Sequence, residues 1–132
     1  MRAPVSVGPP IPGVQTYIGG LRLKFVFLNF GWPAARLTLC EEGLHIGPSM
    51  FVFRPFVPVR AFRYDDLLEV QAIGNFVLTR GIRFTSRSTG RWAIFWTLSR
   101  AEILSHVSEL TQHVNEVPVR LNYWNPGPPS AA

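Results

Sequence analysis

Apolar residues recur at alternate positions through most of this chain, and a period of two predicts strands. From Arg36 to Cys40 polar and apolar side chains alternate, Glu41-Glu42-Gly43 supplies a turn, and Leu44-His45-Ile46 resumes the pattern. That is a hairpin with Leu37, Leu39, Leu44 and Ile46 on one face. A second hairpin is predicted over 81–98. Its first strand turns Ile82 and Phe84 inward and Arg83, Thr85 and Arg87 outward. Ser88-Thr89-Gly90 reverses the chain, and Trp92, Ile94, Trp96 and Leu98 share one side of the return strand. Val59 to Tyr64 and Leu68 to Ile73 read as further strands on either side of an Asp65-Asp66 turn. Leu21 to Leu28 is also β-prone, with Leu21, Leu23, Phe25 and Phe27 on one face. Met50 to Phe53 stays open between strand and loop, because Pro55 and Pro58 follow it.

The period changes once. Ile103, Leu104, Val107, Leu110 and Val114 recur at helical spacing. Ser99 and Glu102 form a capping box at the start, with Leu98 and Ile103 placed as a hydrophobic staple. Asn115 is the expected stop, since Pro118 disfavours helical backbone at Val117. Prolines mark the ends of the folded unit. Pro4, Pro9, Pro10 and Pro12 make residues 1–18 a Pro/Gly-rich extended tail, and Pro126, Pro128 and Pro129 make 125–132 a second one. A single domain over 21–121 lies between them.

Composition narrows the class. The chain has 132 residues, 47% of them apolar, which argues against disorder throughout. One cysteine, Cys40, excludes an internal disulfide framework. No apolar run reaches the roughly 20 residues of a membrane helix. Arg2 is followed by prolines instead of an apolar run, so no secretory leader is expected and a cytoplasmic location is. The 13 Lys+Arg against 8 Asp+Glu leave a net charge of +5; only Arg2 lies in a tail, so the domain itself keeps +4.

Successive antiparallel strands followed by one amphipathic helix give the element order of pleckstrin-homology-like folds. The pieces Gly31-Trp32-Pro33-Ala34-Ala35-Arg36-Leu37-Thr38-Leu39, Glu42-Gly43-Leu44-His45-Ile46, Phe62-Arg63-Tyr64-Asp65-Asp66-Leu67, Gly81-Ile82-Arg83-Phe84 and Trp92-Ala93-Ile94-Phe95-Trp96-Thr97 span most of the domain. Together they resemble bacterial PH-like (PH/GRAM-type) domains, including small actinobacterial proteins. The resemblance implies a mainly β fold: a PH-like antiparallel barrel or bent sandwich of about seven strands, with a C-terminal amphipathic helix closing one end. Eight strand candidates are present, so one of 21–28 and 50–53 is an addition or not a strand.

Candidate chemistry is sparse. There is no Gly-rich phosphate loop, no nucleophile elbow and no cysteine pair. Cys40 reads as a structural thiol and Asp65-Asp66 as a turn. Glu102, His106, Glu109 and His113 fall on one helical stripe, yet the two histidines stand two turns apart, roughly 10 Å, too far for one metal ion. No metal or cofactor is implied. Arginines carry the sharper signal: Arg80, Arg83, Arg87 and Arg91 lie on or beside one hairpin, and Arg63 and Arg60 extend the set if their strand is adjacent. Guanidinium groups suit phosphate and carboxylate. The plainer alternative is an ordinary solvated face, and the Glu41-Glu42 turn departs from the basic first hairpin of phosphoinositide-binding PH domains. Phe76, Val77 and Leu78 form an apolar loop between glycines, and Phe51, Phe53 and Phe56 crowd a second, proline-broken one. Exposed apolar loops mark contact surfaces. The expected function is a non-enzymatic binding module contacting a protein partner or an anionic surface. The alternative is peripheral membrane association through the arginine hairpin and the apolar loop. Nucleic acid ranks third and an enzyme last.

Overall fold

The structure, a computed structural model, describes residues 6–23, 29–74, 80–112 and 114–119, with the backbone alone at 29–32 and 116–118. It is mainly β. Strands β1 (Tyr17–Leu23), β2 (Asn29–Leu39), β3 (Gly43–Pro48), β4 (Arg60–Arg63), β5 (Leu67–Ile73), β6 (Gly81–Ser86) and β7 (Trp92–Trp96) precede the helix α1 (Arg100–Ser108) and strand β8 (Val114–Val119). All eight strands join one sheet in the order β4-β3-β2-β1-β7-β6-β5-β8, and every pairing is antiparallel except β5 with β8. Phe25 and Phe27 of the first predicted strand, and the 125–132 tail, lie outside the described residues.

The sheet is strongly bent. Strand β4 is first in the order and β5 seventh, so about 29 Å would separate them if the sheet were flat. Only Tyr64–Asp66 links them, and a four-step stretch of chain reaches at most about 14 Å. Phe62 of β4 and Phe84 of β6, five strands apart in the order, bring their ring centroids to 6.2 Å. The sheet therefore rolls over its own core, while β4 and β8 remain as edges with no ladder between them among the described residues. It is not closed into a barrel.

The enclosed face carries Leu21, Leu37, Leu44, Ile46, Val70, Ile82, Phe84 and Phe95, and α1 contributes Ile103, Leu104 and Val107 to the same core. The helix ends earlier than its apolar period suggests, with Glu109 as its C-cap. Val114, which fits the helical stripe by spacing, begins β8 instead. Pro118 stops no helix here; β8 pairs on one side only, and an edge strand tolerates the missing backbone donor. The helix is thus followed by a strand and does not end the fold. Its start also differs: Ser99 makes no side-chain cap bond, its amide is held by Thr97 Oγ1 at 3.0 Å, and Leu98 is exposed and staples nothing.

Two further expectations change. Met50–Phe53 forms no strand: Phe51–Phe53 is a single 3-10 turn. On β7 the main core takes Ala93 and Phe95, while Trp92, Ile94 and half-buried Trp96 pack with Ile73 on the other face. Alternation gives the correct phase, and both faces of β7 are buried, so it does not tell which of them meets the larger core. The proline-rich stretch before β1 lies along the sheet. Val7 is buried, Pro10 bridges to Cys40, and the Ile11 amide donates to Leu39 O at 3.0 Å.

Candidate functional site

The bend redistributes the arginines that stand out in the sequence. Arg80 and Arg87 lie at opposite ends of β6, about 23 Å apart along an extended strand. Arg83, between them, is 6% exposed and turns to the outer face, where its Nη2 and Nε donate to Glu69 Oε1 at 2.8 and 3.0 Å. Arg63 pairs with Asp65, Nε to Oδ1 at 3.2 Å, and donates to the Ser6 carbonyl. Phe76, Val77 and Leu78 lie outside the described residues. Arg80 and Arg87 therefore do not share one compact patch, and Arg83 between them is buried against Glu69.

Two smaller basic groupings take their place. Arg100 donates from Nη1 to the carbonyls of Ile73 and Gly74, both at 2.7 Å, which fastens the start of α1 to the end of β5. Burial, and then the charge of nearby Arg80, lower the Arg100 pKa. The second grouping joins strands distant in sequence. Arg60 on β4 sits opposite Ile46 and so shares its face at the mouth of the roll. Burial, followed by the charge of Arg91, lowers the Arg60 pKa. The guanidinium of Arg60 donates to the Val59 carbonyl at 3.0 Å.

Beside Arg60 lies the most exposed apolar surface on the described chain. The segment from β3 to β4 leaves Met50 59%, Phe51 82%, Val52 61%, Phe56 67% and Val59 54% exposed. Its base is fixed. The Ser49 amide donates to Ala34 O at 3.0 Å, Ser49 Oγ donates to the Pro33 carbonyl, and Arg36 Nη2 donates to Ser49 O at 2.8 Å. Val57 is buried in the main core and Phe53 packs against it. The Phe56 and Val57 amides both donate to Phe53 O, at 3.0 and 2.9 Å. Phe53 and Val57 seat the loop, so Phe51, Val52 and Phe56 project from it. The Arg54 guanidinium carbon lies 5.6 Å from the Phe51 ring centroid. Between Glu42 and Asp65 the chain has Arg54, Arg60 and Arg63 and no carboxylate.

Cys40 is a buried thiol whose pKa burial pushes up, which disfavours the thiolate. Tyr64 donates its hydroxyl to the Cys40 carbonyl at 2.7 Å, and burial is the main cause that pushes the Tyr64 pKa up to about 12. His45 is half-buried with a lowered pKa, again from burial, beside Gly47. Glu102 of the helical stripe accepts from Gln15 Nε2 at 3.2 Å, and His113 lies outside the described residues. Among the described residues no three His, Cys, Asp or Glu side chains gather as a metal site, and no helix is long and apolar enough to cross a membrane.

Asp66 is a structural anchor. It accepts Ser86 Oγ at 2.7 Å, Ser88 Oγ at 2.8 Å and the Ser88 amide at 3.0 Å, tying the β4–β5 link to the β6–β7 turn. Burial draws its pKa up, but the bonds from Ser86 and Ser88 and the charge of Arg87 outweigh that and hold it below the ordinary value. A carboxylate with a depressed folded pKa stabilises the fold above its unfolded pKa, and the contribution disappears as pH falls through the folded value. Asp66→Asn is therefore expected to destabilise by about 1 kcal/mol at neutral pH. The difference from wild type should persist down to the unfolded carboxylate value of about 4 and vanish only at a pH below the lowered folded value. Denaturant melts of the two proteins at neutral pH and below that folded value check it; an equal gap at both would show that the carboxylate charge contributes nothing.

No protein-family model, curated protein or solved structure matches the chain.

Proposed function

We propose that this chain is a non-enzymatic binding module of PH-like fold, acting on a protein partner or an anionic surface through the Met50–Val59 loop. The fold reading is supported by a bent, mainly antiparallel sheet packed against one helix late in the chain. The contact reading rests on one observation: five large apolar side chains exposed together on a loop whose base is anchored in the core. Scattered exposed apolar residues are ordinary, whereas a contiguous set marks an interaction site. A location in the cytoplasm, peripheral to a membrane, is compatible with this role.

A photo-crosslinking residue placed at position 56 in the full chain tests the loop directly. Irradiation in cells is expected to give discrete adducts from position 56 and none from position 101, an exposed site on α1. Equal adducts at both positions, or none at 56, would contradict the proposal.

A further inference from the structure

We infer that Arg80 and Arg100, at the end of the sheet where β5, β6 and β7 meet the start of α1, form a binding site for a carboxylate. No residue of the Met50–Val59 loop takes part, so the site is additional to the contact proposed there.

The backbone brings the two arginines together. Ile73 at the end of β5 pairs with Gly81 at the start of β6, and Gly81 pairs with Trp96 at the end of β7. One step further along the three strands stand Gly74, Arg80 and Thr97, and the Thr97 amide donates to the Arg80 carbonyl at 3.0 Å. Arg100 opens α1 three residues after Thr97 and reaches back across this end of the sheet. Its Nη1 donates to the carbonyls of Ile73 and Gly74, both at 2.7 Å. The Gly74 carbonyl that holds Arg100 thus belongs to the residue next in register with Arg80.

Neither cation has a counter-charge. Among the described residues the ion pairs are Arg63 with Asp65 and Arg83 with Glu69, and neither includes Arg80 or Arg100. Arg80 Nε is also buried without a hydrogen-bond partner. Such a donor costs its full desolvation, more when the group is charged, and in a native fold it calls for a partner. A water could accept from Nε but would leave two guanidinium groups repelling each other. That repulsion adds to burial in lowering the Arg100 pKa. An anion between the two satisfies the donor and relieves the charge together.

The surroundings favour carboxylate over phosphate. The Nε and Nη edge of a guanidinium offers two parallel donors, which match the two oxygens of a planar carboxylate. A phosphate brings a third strong acceptor oxygen and close to two charges. The backbone groups beside Arg100 are the Ile73 and Gly74 carbonyls, which repel extra oxygens instead of binding them. The carboxylate can come from a free organic acid or from an acidic side chain of a peptide.

Melting and titration of the full chain test the site. Sodium acetate, exchanged for chloride at constant ionic strength, is expected to raise the melting temperature of the wild type and to leave that of Arg80→Met unchanged. A blocked peptide with a single glutamate distinguishes the sources. Tighter binding of the peptide than of acetate assigns the site to a peptide side chain, and equal or weaker binding assigns it to a free acid; both support the site. Arg80→Met should weaken either ligand about tenfold or more, as expected for losing a charge-assisted pair. Without ligand the variant should melt no lower than wild type, because it removes an uncompensated buried charge and keeps the apolar stem. Absence of binding by both carboxylates, an equal response of wild type and Arg80→Met, or tighter binding of inorganic phosphate than of either carboxylate would overturn the assignment. A ligand-free Arg80→Met that melts well below wild type would overturn it too, by showing that Arg80 is already compensated within the fold.

Discussion

Gly43→Ala is expected to destabilise the fold by about 3 kcal/mol, at the upper end of what overpacking a core produces. A Cβ at this position would stand 2.2 Å from the Phe62 carbonyl oxygen, 2.6 Å from Val7 Cγ1 and 2.8 Å from Arg63 Cα. Two of those atoms are backbone of the paired strand β4, so no side-chain rotation makes room. The strand must move away, which breaks the Gly43–Arg63 register where the chain leaves for β5. It also pushes on Val7, which the Glu42 amide ties to the sheet through its carbonyl at 2.9 Å. For a domain of this size the melting temperature should fall on the order of 10 °C. Gly13→Ala is the control: nothing lies within 4 Å of its added Cβ, and the penalty there comes from its positive φ alone. Thermal melts that show a smaller loss at Gly43 than at Gly13 would contradict the close approach of β3 and β4.

Glu69→Ala should also cost about 3 kcal/mol, the low end of the loss when one partner of a buried ion pair is removed. The Arg83 side chain is 7% exposed and that of Glu69 29%, so the guanidinium is the desolvated member and the carboxylate its route to solvent. Without Glu69 the cation stays beside Ile94, its opposite number across the β6–β7 ladder, with less compensation for lost hydration. Replacing both partners by apolar residues of similar size removes the charge with its burden. The Glu69→Leu, Arg83→Met double variant should therefore recover most of the stability lost by Glu69→Ala. A double variant as unstable as the single one, in matched urea melts, would show that the pair is held for a reason other than electrostatic compensation.

Much of this architecture is legible from alternation alone. The hairpins at 36–46 and 81–96 and the buried helix positions Ile103, Leu104 and Val107 follow from period and turn chemistry. What alternation cannot tell is which face meets the core. Trp92, Ile94 and Trp96 do share a side of β7, but the larger core needs small Ala93 opposite Phe84, and the tryptophans fall outside it. Alternation likewise turns Arg83 outward, to the correct side; that side is buried too. Strand β8 is hidden by Pro118 and by a run of spaced valines that suits a helix as well as an edge strand. The candidate site is half visible. Phe51, Phe53 and Phe56 stand out as a proline-broken cluster, yet only packing separates Phe53, which seats the loop, from Phe51 and Phe56, which leave it. The influence of the Arg91 charge on Arg60 has no sequence signal, because it depends on the bend that carries β4 over to the β6–β7 turn.

If the Met50–Val59 loop is where this chain meets an anionic surface, a reporter on the loop must leave water when that surface is added. An environment-sensitive dye on Phe56→Cys provides one, since native Cys40 is buried. A matched label on Ala101→Cys, exposed on α1, serves as the reference. On addition of phosphatidylserine-containing vesicles, emission from position 56 should shift to the blue and be quenched by lipid-borne quenchers, while position 101 stays unchanged. A dye at position 56 that remains fully aqueous with vesicles in excess, or one that responds no differently from position 101, would contradict contact with an anionic surface through this loop.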